Sequence, residues 1–152
     1  MKIGFIIAAA LAVGVFASCS HIPKSIPEDL SAKEIVQRAQ EATDAYHYDA
    51  AVVYYRTLNE RFGTDPLYKT TAEYEIAFIA YKQKRYTEAK GGFELLLAEY
   101  SGPNGSSLPP RYSVLAKKVL EKIDDKLKEK AAKSGSGAAQ APADSAQPKT
   151  AQ

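Results

Sequence analysis

The residues able to do chemistry are few. Cys19 is the only cysteine, closing a short apolar leader, and His21 and His47 are the only histidines. His21 stands in a proline-containing N-terminal stretch and His47 in a turn between helices, so the pair cannot present the three-ligand set of a metal centre. No glycine-rich loop follows a strand to cradle a phosphate, and no serine sits on a strand–turn–helix. The carboxylates alternate with lysines, as on a solvated helix face. An enzyme would need a polar cluster such as Asp44, Lys82 and Glu121 in a closed pocket with shifted pKa values. The expectation is therefore no enzyme, no metal and no cofactor. The aromatic side chains offer a different chemistry. Tyr74, Phe78 and Tyr81 fall at i, i+4 and i+7, and a half-buried stripe of rings with polar tips suits a protein partner.

The elements that must position those rings repeat. Ala39, Ala42, Tyr48, Ala51, Tyr55, Leu58 and Phe62 recur 38 residues later as Ala77, Ala80, Tyr86, Ala89, Phe93, Leu96 and Tyr100. One offset that preserves size class at so many positions marks a stacked repeat. Spacings of three and four divide each copy into two amphipathic helices. The first opens at Ser31 with the capping-box partner Glu34 and ends near Tyr46–His47. The second runs from about Asp49 to Arg61, where Gly63-Thr64-Asp65-Pro66 breaks it. Asp65 caps the third helix, with Pro66 at its first position, and that helix ends near Gln83. The fourth runs from about Thr87 to Tyr100, a loop covers 101–109, and a fifth begins at Pro110. The fifth carries an apolar stripe through Tyr112, Leu115, Ala116, Val119, Leu120, Ile123 and Leu127 and a charged opposite face, as a helix covering the end of a stack does. No strand pattern appears, so the fold class is all-α. Gly91-Gly92 inside the fourth helix reads as a device for close helix packing.

From Ser134 onward the chain lacks aromatic and branched aliphatic residues and cannot bury enough apolar area to order itself, so 132–152 reads as a disordered tail. One domain, 31–131, remains. Formal net charge is +2, with no basic arm or acidic block, which sets nucleic acid aside as a partner.

The leader runs Met1-Lys2, an apolar stretch from Ile3 to Phe16, and Ala17-Ser18-Cys19. It is shorter than the roughly 20 residues that span a bilayer. It resembles the lipobox of bacterial lipoproteins, with Phe16 in place of the usual leucine. The resemblance implies a signal peptide, 1–18, cleaved before Cys19, whose thiol then carries a diacylglycerol and whose new amine takes an acyl chain such as palmitate. Ser20, where an aspartate marks inner-membrane retention in enteric-type bacteria, implies the outer membrane facing the periplasm. Ser20 to Leu30, with Pro23 and Pro27, reads as an extended leash (19–30 with the lipidated cysteine). Its reach is at most about 36 Å.

The helix pairs carry a second resemblance. Tyr48-Asp49-Ala50-Ala51-Val52-Val53-Tyr54-Tyr55 and Tyr86-Thr87-Glu88-Ala89-Lys90-Gly91-Gly92-Phe93 look like the second helix of a tetratricopeptide (TPR) repeat. Ala39 and Ala77 stand at the small position of the first helix. Arg38 and Glu73 depart from the motif, and the period exceeds the usual 34. The resemblance implies two TPR-type hairpins plus a closing helix, a fragment of a right-handed α-solenoid. Among such proteins the chain is similar to the lipoprotein of the outer-membrane β-barrel assembly machinery. By TPR resemblance Tyr74, Phe78, Tyr81 and Lys82 line a concave partner groove. Val36, Gln40, Thr43 and Asp44 are their counterparts in the first repeat, and Lys117 and Glu121 in the closing helix. The expected function is a membrane-anchored protein-binding adaptor, or scaffold, of the bacterial cell envelope, tied to outer-membrane protein assembly by analogy alone. The alternative is a structural envelope lipoprotein that self-associates through its short stack into a homo-oligomer.

Overall fold

A computed structural model describes residues 22–137, with side chains as far as Lys133. Five α-helices follow one another: α1 (Ala32–Asp44), α2 (Tyr48–Phe62), α3 (Pro66–Lys82), α4 (Tyr86–Tyr100) and α5 (Pro110–Gly137), with a short 3-10 turn (Gly105–Ser107) before the last. They pack as sequential antiparallel pairs, α1 on α2, α2 on α3, α3 on α4 and α4 on α5. The starts follow from side-chain capping. The Ser31 backbone N–H donates to Glu34 Oε2 at 2.8 Å while the Glu34 N–H reaches Ser31 Oγ at 3.4 Å, and the Leu67 N–H donates to Asp65 Oδ1 at 2.8 Å. Each cap satisfies donors that a first helical turn leaves free.

The 38-residue repeat is written into the backbone as well. Tyr46 and Lys84, one period apart, are the two non-glycine residues with positive φ among the described residues, 60° and 61°. The bonds around them match: His47 N to Ala42 O (2.8 Å) and Tyr46 N to Thr43 O (3.1 Å), then Arg85 N to Ala80 O and Lys84 N to Tyr81 O, both 2.9 Å. This six-to-one closure ends α1 and α3 in the same left-handed turn. Neither turn uses glycine, although a left-handed L-residue costs about 1–2 kcal/mol.

Two buried clusters meet at α3. Ile35 and Ala39 of α1, with Ala51, Tyr55 and Leu58 of α2, close on Ala72 and Ile79 of α3. Tyr74, Ala77 and Ala80 of α3 join Ala89, Phe93 and Leu96 of α4 and Tyr112, Ala116, Val119 and Ile123 of α5. A helix asked to bury two sides must be apolar nearly all round, and α3 is, reading Ala72, Tyr74, Ile76, Ala77, Phe78, Ile79, Ala80. Small residues set the spacing. A methyl placed on Gly92 would stand 2.9 Å from Ala77 Cβ, whereas one on Gly91 would meet nothing within 4 Å.

Two stretches differ from the sequence-based expectation. The leash is not free over its length. Ile26 and Leu30 are buried, at 7% and 8% exposure, in the first cluster, and Arg61 donates to the carbonyls of Ile26 and Pro27, both at 2.7 Å. Burying two branched side chains contributes roughly 1.5–3 kcal/mol each, which together with the Arg61 hydrogen bonds offsets part of the entropy lost in ordering the strap. The other difference is at the end of α5, which continues to Gly137, six residues past Ala131. Ala131, Ala132 and Lys133 are strong helix formers and carry the helix past Ala131. The leader, Cys19 and residues 138–152 lie outside the described residues.

Two outcomes follow for stability. Gly91→Ala should raise it by about 1 kcal/mol, the helix-propensity difference, while Gly92→Ala should lower it because Ala77 cannot give way; denaturant unfolding of both variants separates the two roles. Arg61→Ala should speed limited proteolysis within residues 22–30 and cost about 1 kcal/mol, leaving hydrogen exchange in α4 and α5 unchanged.

Candidate functional site

The ring stripe is real, but its members divide between core and surface. Tyr74 is only 6% exposed. Its ring lies 5.5 Å from Phe93, 5.2 Å from Tyr112 and 5.8 Å from Phe78, centroid to centroid. It is thus the keystone of the second cluster and not a groove residue, because α5 crosses the face that the TPR resemblance left open. Burial, then the nearby Glu75 carboxylate, push its phenol up to about 12. Phe78 and Tyr81 are half-buried and stack at 5.9 Å, Tyr81 touches Tyr86 at 6.0 Å, and Lys82 Nζ stands 5.6 Å over the Phe78 ring. These three remain able to meet a partner.

The counterpart residues scatter. Thr43 is buried, and its hydroxyl donates to Ala39 O at 2.8 Å, closing on its own helix. Val36 is half-buried against the first cluster. Gln40 and Asp44 on α1, and Lys117 and Glu121 on α5, are exposed. No hydrogen bond or ion pair joins Asp44, Lys82 and Glu121 among the described residues. Among the described residues no group of three or more histidines, cysteines or carboxylates is placed to hold a metal ion, and no helix is long and apolar enough to cross a membrane.

Two features escaped the sequence reading. Glu75 is half-buried on α3 near Lys82 and Arg111. Burial raises its pKa, and those two cations offset the effect only in part. Beside it Arg111 caps the Tyr112 ring, 4.5 Å from its centroid, and donates to the Tyr112 hydroxyl at 2.7 Å. Thr71 Oγ1 lies 2.7 Å from that same hydroxyl. The second feature is larger. Between α3 and α4, on the side away from α5, runs an open trough of about 880 Å³. Ile76, Ala77 and Ala80 form its floor, Gly91, Gly92, Leu95 and Leu96 its wall, and Glu73, Glu88 and Glu99 its rim. Leu95 is 74% exposed there. A smaller recess shares Ile76 and Glu88 with it and continues to Val52, Val53, Arg56 and Ile22. The sequence signal was present in Gly91 and Leu95, one turn apart on a helix whose core stripe is Ala89, Phe93 and Leu96. At the rim Lys69 pairs with both Glu73 (3.2 Å) and Glu99, and burial together with Glu99 holds the Glu73 carboxyl above its usual range.

The chain is a distant homologue of a protein of Treponema pallidum (strain Nichols) described as an uncharacterized protein, with 31% identity over 117 residues. The match takes in 76% of this chain and 47% of that one, so the chain spans about half the length of its relative. No family model and no solved structure matches the chain.

Tyr74→Ala should destabilise the domain by roughly 3–5 kcal/mol, as for other large aromatic truncations, and Phe78→Ala by clearly less. Glu75 sets a pH dependence of definite sign. Its folded pKa lies above the unfolded value, so its favourable state is complete in acid and is lost as pH rises through that window. Glu75→Gln should therefore melt higher than the parent near pH ~7 and equal it near pH ~4.

Proposed function

We propose that this protein is a non-enzymatic, TPR-type adaptor of the bacterial cell envelope, anchored through a lipid on Cys19, that holds a protein partner at the membrane. The observation that carries the binding role is the trough between α3 and α4. Its floor and wall are apolar, it is open along its length, and its volume falls in the range of pockets that seat a ligand or an anchoring side-chain cluster. An open apolar recess framed by a polar rim has the anatomy of a site that meets a protein partner. Helical hairpins repeated at fixed offset, with small residues at Ala39, Ala51, Ala77 and Ala89, support the TPR reading. The half-exposed Phe78, Tyr81 and Lys82 supply a second contact strip.

Recognition here needs no bond chemistry. A partner's apolar segment would displace water from Ile76 and Leu95, at roughly 25 cal/mol for each Å² buried, while the rim carboxylates fix its direction. The absence of a side chain at Gly91 lets backbone approach closely, which a larger residue would prevent. The lipid sets location, and the trough sets the choice of partner. Outer-membrane protein assembly is the process this reading favours, by family analogy alone. Self-association is the second reading, favoured by Leu95, a large apolar side chain standing in solvent beside the trough.

Leu95→Glu and Gly91→Leu should each abolish recovery of co-purifying protein from solubilised membranes, with helicity and melting unchanged or, for Gly91→Leu, improved. Sedimentation of the same proteins separates the two readings. A dimer that both substitutions dissolve would move the trough's role from a foreign partner to a second copy.

A further inference from the structure

We propose that the partner segment seated in the trough carries a lysine or arginine one helical turn from its apolar anchor, and that this cation docks on Glu73 and Glu99; the proposal names the partner's chemistry and rests on the trough reading given above. The two ends of the trough differ in charge. At one end Glu88 is paired with Arg85, at the start of α4. At the other, Glu73 of α3 and Glu99 of α4 share one cation, Lys69, which bonds to both. Two carboxylates on one lysine leave one negative charge unmatched. No lysine or arginine lines the trough among the described residues. The unmet charge therefore sits at the Glu73 end.

Hydrogen bonding points to the same end. Glu73 Oε1 lies 3.2 Å from the Lys69 ammonium, but Oε2 is shielded from solvent and meets no donor among the described residues. A buried acceptor left in that state costs roughly 1–3 kcal/mol. Thr70, fully buried and three residues before Glu73 on the same side of α3, has a hydroxyl that is also without a partner. Glu99 stands in the last turn of α4, which holds no basic residue, although the carbonyl end of a helix favours a cation. The Glu99 side chain is 36% exposed and that of Lys69 34%, so an arriving ammonium or guanidinium reaches the pair from solvent. It takes over Glu99 and frees Lys69 to turn wholly onto Glu73. Two carboxylates then hold two cations.

The spacing of the trough sets the spacing of its partner. Ile76 lies three residues from Glu73, and Leu95 four from Glu99. Apolar surface and carboxylates thus stand one turn, about 5.4 Å, apart along both helices. A helix laid in the seam matches this with an aliphatic or aromatic anchor and a basic residue three or four positions away. An acidic residue at that place would meet Glu73 and Glu99 and be turned away.

The test selects binders to the full-length protein in mild detergent from a phage-displayed library of alanine-framed helices with randomised positions. Selected sequences should combine an apolar anchor with lysine or arginine three or four positions away. A synthetic peptide of the leading sequence should bind several-fold more tightly than the same peptide with glutamine in place of the basic residue, the scale of a part-exposed ion pair. In the Glu73→Gln/Glu99→Gln protein that ratio should fall to near one while the apolar anchor still binds. Raised salt should narrow it on the unaltered protein, which guards against a variant that misfolds. Peptides that lose binding in Leu95→Glu yet show no preference for a cation would overturn this inference and leave the trough reading standing. Selection of no peptide, or of peptides that bind Leu95→Glu equally well, would bring down the trough reading and this inference with it.

Discussion

Everything in this fold depends on one helix being buried on two sides. α3 gives Ala72 and Ile79 to the cluster it shares with α1 and α2, and Tyr74, Ala77 and Ala80 to the cluster it shares with α4 and α5. Neither hairpin could close its core without it. The demand is met by composition: alanines where a neighbouring helix comes close, rings where it stands back. Close approach at Ala77 and Gly92 is what lets Phe93 reach Tyr74, and Tyr74 in turn receives Tyr112 from α5. Substituting any of these for fit with one hairpin disturbs the other, because interiors are packed near crystal density.

The same demand produces the surfaces. A helix buried on two sides still has a third, and on α3 that third side is Glu73 and Ile76, half-exposed between α2 and α4. The trough is what remains when successive hairpins stack through the shared helix and, among the described residues, nothing lies over the seam. The strap covers part of the neighbouring ground along α2, with Ile26 and Leu30 inserted and Arg61 gripping their backbone.

Much of the architecture was legible in the residues. Ser31 with Glu34, Asp65 with Pro66, and the spacing of alanines and rings located all five helices to within a few residues, because capping chemistry and packing periodicity are local. Where the reading failed, the cause was tertiary. Tyr74 and Phe78 share one periodicity, and only the position of α5 decides that the first is core and the second half-open. Thr43, expected in a groove, turns its hydroxyl back on Ala39. Pro23 and Pro27 correctly excluded a helix before Ser31, yet the anchoring of Ile26 and Leu30 depends on Arg61, more than thirty residues away. The turns at Tyr46 and Lys84 lack the glycine that ordinarily marks a left-handed cap. The trough left only a faint trace, Gly91 and Leu95 on the face opposite the core stripe.

The central claim is that the seam between α3 and α4 receives another protein. The most direct measurement places a photo-crosslinking residue at position 95 in the full-length protein, in its own membranes, with position 114 on α5 as the control, since Val114 is also exposed. Irradiation should join position 95 to a discrete protein, identifiable by mass spectrometry, and leave position 114 unlinked or diffusely linked. Indistinguishable products from the two positions, or none from position 95, would contradict the account.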